Sequence, residues 1–209
     1  MQNSPPDARG RGRPRAFDRQ AALAQATHLF WRKGYEATSI ADLTAAMGIG
    51  APSLYAAFGA KEALYVEALG YYQATFEGSV WSGFKTAATA RAAVEALLTD
   101  SASALTGALP DAPNGCMVTL SSVADHPGLA EMVRAARSVT LERLEARLTR
   151  AVADGEIPAT ADLRALARFV QTIQNGMSIL ARDGAPRTEL EAVAQVAMAG
   201  WDARVGADA

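Results

Sequence analysis

Residues 39–58 read Ser39-Ile-Ala-Asp-Leu-Thr-Ala-Ala-Met-Gly-Ile-Gly-Ala-Pro-Ser-Leu-Tyr-Ala-Ala-Phe58, and their punctuation decides how the chain begins to fold. Ser39 stands where it can cap a helix, and Asp42 three residues on completes a short capping box. Ile40, Leu43 and Met47 then recur on one face, the stripe of an amphipathic helix. Gly48-Ile-Gly50 supplies a tight turn, because a left-handed backbone at Gly48 would strain any side chain. Pro52 suits the first turn of the next helix, which carries Leu54 and Phe58 inward. Two short helices joined by such a turn are the sequence form of a helix-turn-helix. Many helical proteins contain this much, so the pattern alone is weak.

Working outward, Leu23, Ala26 and Phe30 mark a preceding helix that starts near Phe17 and ends at Gly34. Ahead of it, Pro5, Pro6, Gly10, Gly12 and Pro14 make residues 1–15 read as a flexible arm. Downstream, a fourth helix begins near Ala60 with Leu64 and Leu69 inside, and the texture changes beyond Gly78. Longer helices are expected over about 88–107, 117–124, 129–154, 161–182 and 187–204. Pro110, Pro113, Asn114-Gly115, Pro127-Gly128, Pro158 and Asp183-Gly-Ala-Pro186 mark the loops between them. Strand alternation and internal repeats are both missing, so the expected class is all-α.

Composition narrows the setting. Half of the chain is apolar and a fifth is charged, as in a globular protein. The apolar residues nowhere run long enough to span a bilayer, and no apolar stretch follows the first arginines as in a signal peptide. A single cysteine, Cys116, precludes an internal disulfide. These features point to the cytoplasm and away from a membrane. The net charge of −2 hides an asymmetry. Residues 1–65 hold 8 lysines and arginines against 5 carboxylates, a balance of +3 that leaves −5 for the rest. One end of the chain therefore suits an anionic partner. Four of those cations fall in Arg9-Gly-Arg-Gly-Arg-Pro-Arg15.

Five motifs then make the N-terminal region recognisable. Phe30-Trp-Arg-Lys-Gly-Tyr35, Thr38-Ser-Ile-Ala-Asp-Leu43, Met47-Gly-Ile-Gly50, Ser53-Leu-Tyr-Ala-Ala-Phe58 and Lys61-Glu-Ala-Leu64 closely resemble the DNA-binding domain of the TetR/AcrR family of transcriptional regulators. The match runs from about residue 17 to 65, in order and without gaps. It implies a basic arm (1–15), a three-helix DNA-binding domain (16–62) and a C-terminal helical ligand-binding and dimerisation domain (63–209). It also implies a homodimer whose recognition helices, here about 51–58, enter the major groove at two half-sites of a double-stranded operator. Carried over by position, Tyr55 and Lys61 are phosphate contacts, and a phenol and an ammonium both suit that role. Thr38 or Ser39, at a helix N-terminus, is a further phosphate contact. Base reading falls to Gly50, Ala51, Pro52 and Ser53. Here the chain departs from the commoner pattern, which often has a hydroxyl and a charged residue at positions 50 and 51. Ala56-Ala57 likewise replaces a bulkier pair. The expected readout is therefore by thymine methyls and DNA shape, with Arg11, Arg13 and Arg15 reaching the minor groove or phosphates. A merely solvated arm is the alternative.

The C-terminal half carries less specific signals. Leu163, Leu166, Val170, Ile173, Met177 and Leu180 step by three and four residues, as do Leu190, Val193, Ala197 and Trp201. The resemblance makes these two helices the dimer interface, with Leu166, Val170, Ile173, Met177, Val193, Ala194, Ala197 and Trp201 in it. Packing against the subunit's own core is the other reading. A pocket for a small-molecule effector is likewise implied, with Tyr72, Phe76, Trp81 and Phe84 as candidate walls. Cys116, Met117, Phe169, Gln174 and Asn175 are further candidates, and each could equally be ordinary core. Cys116 is read first as a small buried hydrophobe, then as a pocket residue, and last as a redox sensor. A metal cluster of Cys116, Asp125 and His126 lacks paired ligand spacing. No cofactor is expected, and motifs for a nucleophile elbow, a phosphate loop or a dinucleotide fingerprint are missing, so an enzyme is not expected either. The reading is a repressor that a ligand releases from a palindromic operator, with the fourth helix carrying the signal. The rival is a ligand-binding helical dimer whose helix-turn-helix no longer recognises DNA.

Overall fold

The computed structural model describes residues 17–108 and 112–206. The proposed arm, with Arg11, Arg13 and Arg15, lies outside them. Nine helices and no strand occur among the described residues, in an N-terminal helix-turn-helix followed by a helical body.

Helix α1 (Arg19–Lys33) is capped by Asp18, whose carboxylate accepts from the backbone of Gln20 and Ala21, and it stops at Gly34. Asp18 therefore sets the start two residues after Phe17. Helix α2 (Ile40–Met47) carries the complete capping box of Ser39 and Asp42 and ends on Gly48, whose φ of 67° is left-handed. Helix α3 (Ala51–Phe58) follows, with Pro52 in its first turn.

Helix α4 (Lys61–Thr86) runs through Gly70, Gly78 and Gly83 without a break. The change of texture beyond Gly78 is thus no boundary, and the division at 62/63 falls inside this helix. A glycine costs a helix about 1 kcal/mol, which burial of Tyr72, Trp81 and Phe84 along the same helix offsets. At Gly83 the small residue is needed: a Cβ would stand 2.8 Å from Asp100 Oδ2 and 2.9 Å from Ala96 Cβ.

The body continues with α5 (Ala90–Leu105), α6 (Met117–Leu120), α7 (Pro127–Ala153), α8 (Leu163–Arg182) and α9 (Arg187–Gly206). Helix α6 is shorter than its sequence suggests. Arg137 of α7 takes the carbonyls of Val118, Thr119 and Ser121, while the Ser121 hydroxyl turns back to Met117 O. Those carbonyls are satisfied without another turn.

Two apolar cores result. One joins α1–α3 to the first half of α4, centred on Phe30, Tyr35, Leu43, Leu54, Phe58 and Tyr65, and reaches Met117 and Leu129. The other lies among α5, α7, α8 and α9, centred on Leu97, Leu144, Val170, Met177 and Trp201. Among the described residues no helix is long and apolar enough to cross a membrane.

Candidate functional site

Helix α3 turns Leu54 and Phe58 into the core and leaves Pro52, Ser53, Tyr55 and Ala56 outside. Tyr55 is 51% exposed, a large aromatic surface with no core role. Gly50 gives the helix no side-chain cap, so its first N–H groups have no side-chain acceptor. Such a helix start, positive by its dipole and free of bulk, is suited to approach phosphates and base edges. Helix α4 begins next to it at Lys61, whose Nζ lies 4.1 Å over the Tyr35 ring. That ring orients the lysine stem and belongs to a buried phenol whose pKa is pushed up to about 12, by burial first and then by its bond to Glu62.

Two of the proposed phosphate contacts are placed differently from each other. Thr38 is turned inward, 1% exposed, with its hydroxyl donated to Gly34 O at 2.6 Å. It serves the end of α1 and offers no hydroxyl outward. Ser39 is exposed, but its hydroxyl is engaged with Asp42, accepting from the Asp42 N–H at 3.0 Å. The Asp42 carboxyl is held down at about 2, chiefly by the Ser39 N–H, then by the Ser39 hydroxyl and Lys33. The acid is therefore a permanent anion, neutralised locally by Lys33 at 3.0 Å.

A second feature lies inside the body, where a cavity of about 70 Å³ is enclosed by α4, α5, α7, α8 and the start of α6. An apolar cavity of about 150 Å³ admits benzene, so this volume suits a small occupant as it stands. Of the candidate pocket residues, Tyr72, Trp81, Cys116, Gln174 and Asn175 line it. Phe76, Phe84, Met117 and Phe169 do not. Phe76 packs on Trp31 and Tyr72 at 5.1 and 5.6 Å, and Phe84 meets Trp81 edge-on at 5.1 Å. Met117 is buried in the head's core, and Phe169 points out of the body, 37% exposed.

Several lining groups escaped the sequence: Glu77, Ser101, Thr119, Arg137, Thr140 and Gln171. They come from five separate helices, so no spacing announces them. Only Gln171 left a trace, as a polar residue on the buried stripe of α8. The polar wall is internally bonded. Gln174 Nε2 donates to Ser101 Oγ at 2.9 Å, and Thr119 Oγ1 to Asn175 Oδ1 at 3.2 Å. Glu77 faces Arg143, which lies over the Trp81 ring at 4.9 Å. Tyr72 donates its hydroxyl to Cys116 Sγ at 3.3 Å, and burial keeps that phenol protonated well above the usual range. Among the described residues no three His, Cys, Asp or Glu side chains form a metal site. His126 instead meets the Tyr35 ring edge-on at 4.8 Å and lies 3.5 Å from Glu36.

The proposed interface residues also move. Leu166, Val170, Met177, Ala194, Ala197 and Trp201 are buried in the subunit's own core, and Ile173 and Val193 pack against it. The most regular apolar stripe of each helix is the one facing inward. The opposite faces expose Phe169, Ile179 and Leu180 on α8, and Val196 on α9 at 74%. Ala192, Ala199 and Ala203 continue the α9 face. Phe169 reaches over Gly200, which joins the two helices into one apolar surface.

Known proteins supply the context for this geometry. The family model described as bacterial regulatory proteins, tetR family, matches residues 22–68. Over 204 residues the chain is 37% identical to the HTH-type transcriptional repressor ComR of Escherichia coli K12, covering 92% of this chain and 93% of that protein. It is 38% identical to the TetR family transcriptional regulator CifR, solved as a cysteine-substituted protein complexed with 26 bp double-strand operator DNA. That superposition has a TM-score of 0.83 and covers 91% of this chain and 100% of CifR. A TetR regulator of Rhodococcus sp. RHA1 shares 41% identity, with a TM-score of 0.58 over 87% of this chain and 97% of that one.

Proposed function

Because this chain belongs to the TetR family of bacterial transcriptional regulators, we propose that it is a homodimeric repressor which a small molecule in the body cavity releases from a palindromic operator. The observation that carries the reading is the outer face of α3. Its inner residues pack the head while Pro52, Ser53 and Tyr55 stand free beside the start of α4. Apart from Tyr55 no long polar side chain projects from this face, so bases are read by apolar contact with thymine methyls and by DNA shape. Tyr55 and Lys61 hold phosphates and set the register. A DNA partner supports a cytoplasmic location.

The apolar surface of α8 and α9 is the homodimer interface in this reading. Two copies bring four helices together and hold the recognition helices at half-sites about 34–36 Å apart. The occupied cavity favours a head spacing that no longer matches those half-sites, a population shift. The chemistry is binding throughout, and no catalytic step is assigned.

Tyr55→Ala and Lys61→Ala each remove one phosphate contact. Hydrogen bonds to charged groups are worth about 1.5–3 kcal/mol, so each variant loses roughly tenfold or more in operator affinity. Lys61→Ala also flattens the salt dependence by about one phosphate. Fluorescence anisotropy across a salt series reads both effects. Undiminished affinity in a folded dimer contradicts the assignment of these two residues.

A further inference from the structure

Helix α1 ends with carbonyls that have no partner within the helix, and the side chain that takes them comes from the far end of the chain. Arg182, the last residue of α8, donates to Trp31 O at 2.9 Å and to Arg32 O at 3.1 Å. A cation also suits this end of the helix dipole. The same guanidinium donates through Nε to Asn114 O at 2.8 Å. One side chain therefore ties the body's helix α8, the loop before α6 and the DNA-binding head. Trp31 makes the complementary tie, its buried indole N–H donating to Gly115 O at 2.9 Å.

The loop between these ties has no slack. Gly115 N donates to Leu105 O at 2.8 Å, and Cys116 N to Ser178 Oγ at 2.8 Å. Gly115 sits at φ +80°, and a Cβ there would stand 2.6 Å from Leu120 Cδ1 and 2.8 Å from Ser178 O. On its other side the loop becomes the cavity wall. Cys116 lines the cavity and accepts from Tyr72, whose ring meets Trp31 edge-on at 4.8 Å. An occupant that displaces Cys116 or Tyr72 must therefore push on both ties.

We propose that the loop 114–116, clasped to α1 by Trp31 and Arg182, is the joint that transmits cavity occupancy to the DNA-binding head. Trp31 and Arg182 are positioning residues in this scheme. They touch neither the DNA nor the occupant, and they act by holding α1 against the loop. The route is additional to α4. A two-pronged guanidinium contact with two carbonyls of one helix turn is either made or lost, which suits a two-state element. The inference rests on the cavity being the effector site.

Cys116 is the chain's single cysteine, which gives a defined artificial occupant. Methyl methanethiosulfonate places a methylthio group on its sulfur: the thiolate attacks the sulfenyl sulfur, a disulfide bond forms and methanesulfinate leaves. The test compares wild type with Trp31→Phe/Arg182→Gln, which keeps the ring and removes both ties. Affinity for a captured operator fragment is measured before and after labelling, with Cys116→Ser as the unlabelled control. Labelled wild type is expected to lose about tenfold or more in affinity, within the usual range of allosteric coupling. The double variant binds like wild type when unlabelled and loses less than about threefold on labelling. If the double variant does not fold, Arg182→Lys is read instead, since a lysine keeps the charge without the fork. Equal losses in both proteins, or no loss in fully labelled wild type, overturn the joint while leaving DNA binding intact. Failure of unlabelled wild type to bind DNA at any salt concentration instead refutes the regulator reading, and the joint with it.

Discussion

In the proposed homodimer, Val196→Asp is expected to give a folded monomer, and Ile179→Asp to do the same. Val196 is 74% exposed and Ile179 51%, on the outer faces of α9 and α8, so neither carboxylate disturbs the subunit's own packing. In a two-fold dimer each substitution enters the interface twice. An unpaired buried charge costs about 3–5 kcal/mol, so two copies weaken the dimer by about 6–10 kcal/mol, or four to seven decades in dissociation constant. Light scattering reads the mass, and thermal unfolding at matched concentration reads the fold. A monomer also loses the avidity of paired half-sites, about 10²–10⁴-fold in operator binding. Ile173→Glu should behave differently: Ile173 packs against the subunit's own core, so its charge destabilises the fold before it separates the dimer. Aspartate variants that remain dimeric place the interface elsewhere.

Glu156→Ala lowers the melting temperature by about 10 °C. Arg147 of α7 is 7% exposed, and its Nε and Nη1 have no hydrogen-bond partner among the described residues. Its Nη2 reaches Glu156 at 3.3 Å and Ala88 O at 3.4 Å. Glu156 is therefore the compensating charge, and it also accepts from Ala90 N, the first residue of α5. Removing it leaves a buried cation unpaired, a loss of about 3–5 kcal/mol, with each kcal/mol worth roughly 2–4 °C at this chain length. Adding Arg147→Met should recover most of the loss, because no charge then stays buried. The Glu156 carboxyl is held below its ordinary value, first by the Ala90 N–H and then by Arg147. Its contribution is thus present above the unfolded carboxylate's pKa and lost as pH falls through the lowered folded value. The acid sensitivity of wild type should be smaller in Glu156→Ala. An unchanged melting temperature contradicts this role.

How much of this was legible depends on whether one element held the signal. The helix-turn-helix was, because its decisions are local: Ser39 with Asp42, Gly48 and Pro52 each act within one turn of backbone. The core residues Phe30, Leu54 and Phe58 followed from helical periodicity and are buried as expected. The end of α6 was not legible, since it is set by Arg137 from a different helix. The continuity of α4 through three glycines likewise depends on what packs against it. The apolar outer surface proposed for the dimer was hidden for a related reason. On α8 the strongest periodic stripe serves the core, whereas the exposed face mixes Phe169 with Thr172 and Gly176. The cavity combines one or a few residues from each of several elements, and only their assembly defines it. The inward turn of Thr38 was likewise hidden, because its hydroxyl completes the end of α1.

The most direct test of the account is capture of random genomic fragments by the purified wild-type protein, sequenced beside Tyr55→Ala/Lys61→Ala. The account predicts an enriched palindrome with wild type that disappears with the double variant. A folded wild-type dimer that enriches no sequence at any salt concentration, or a palindrome recovered equally by both proteins, would contradict it.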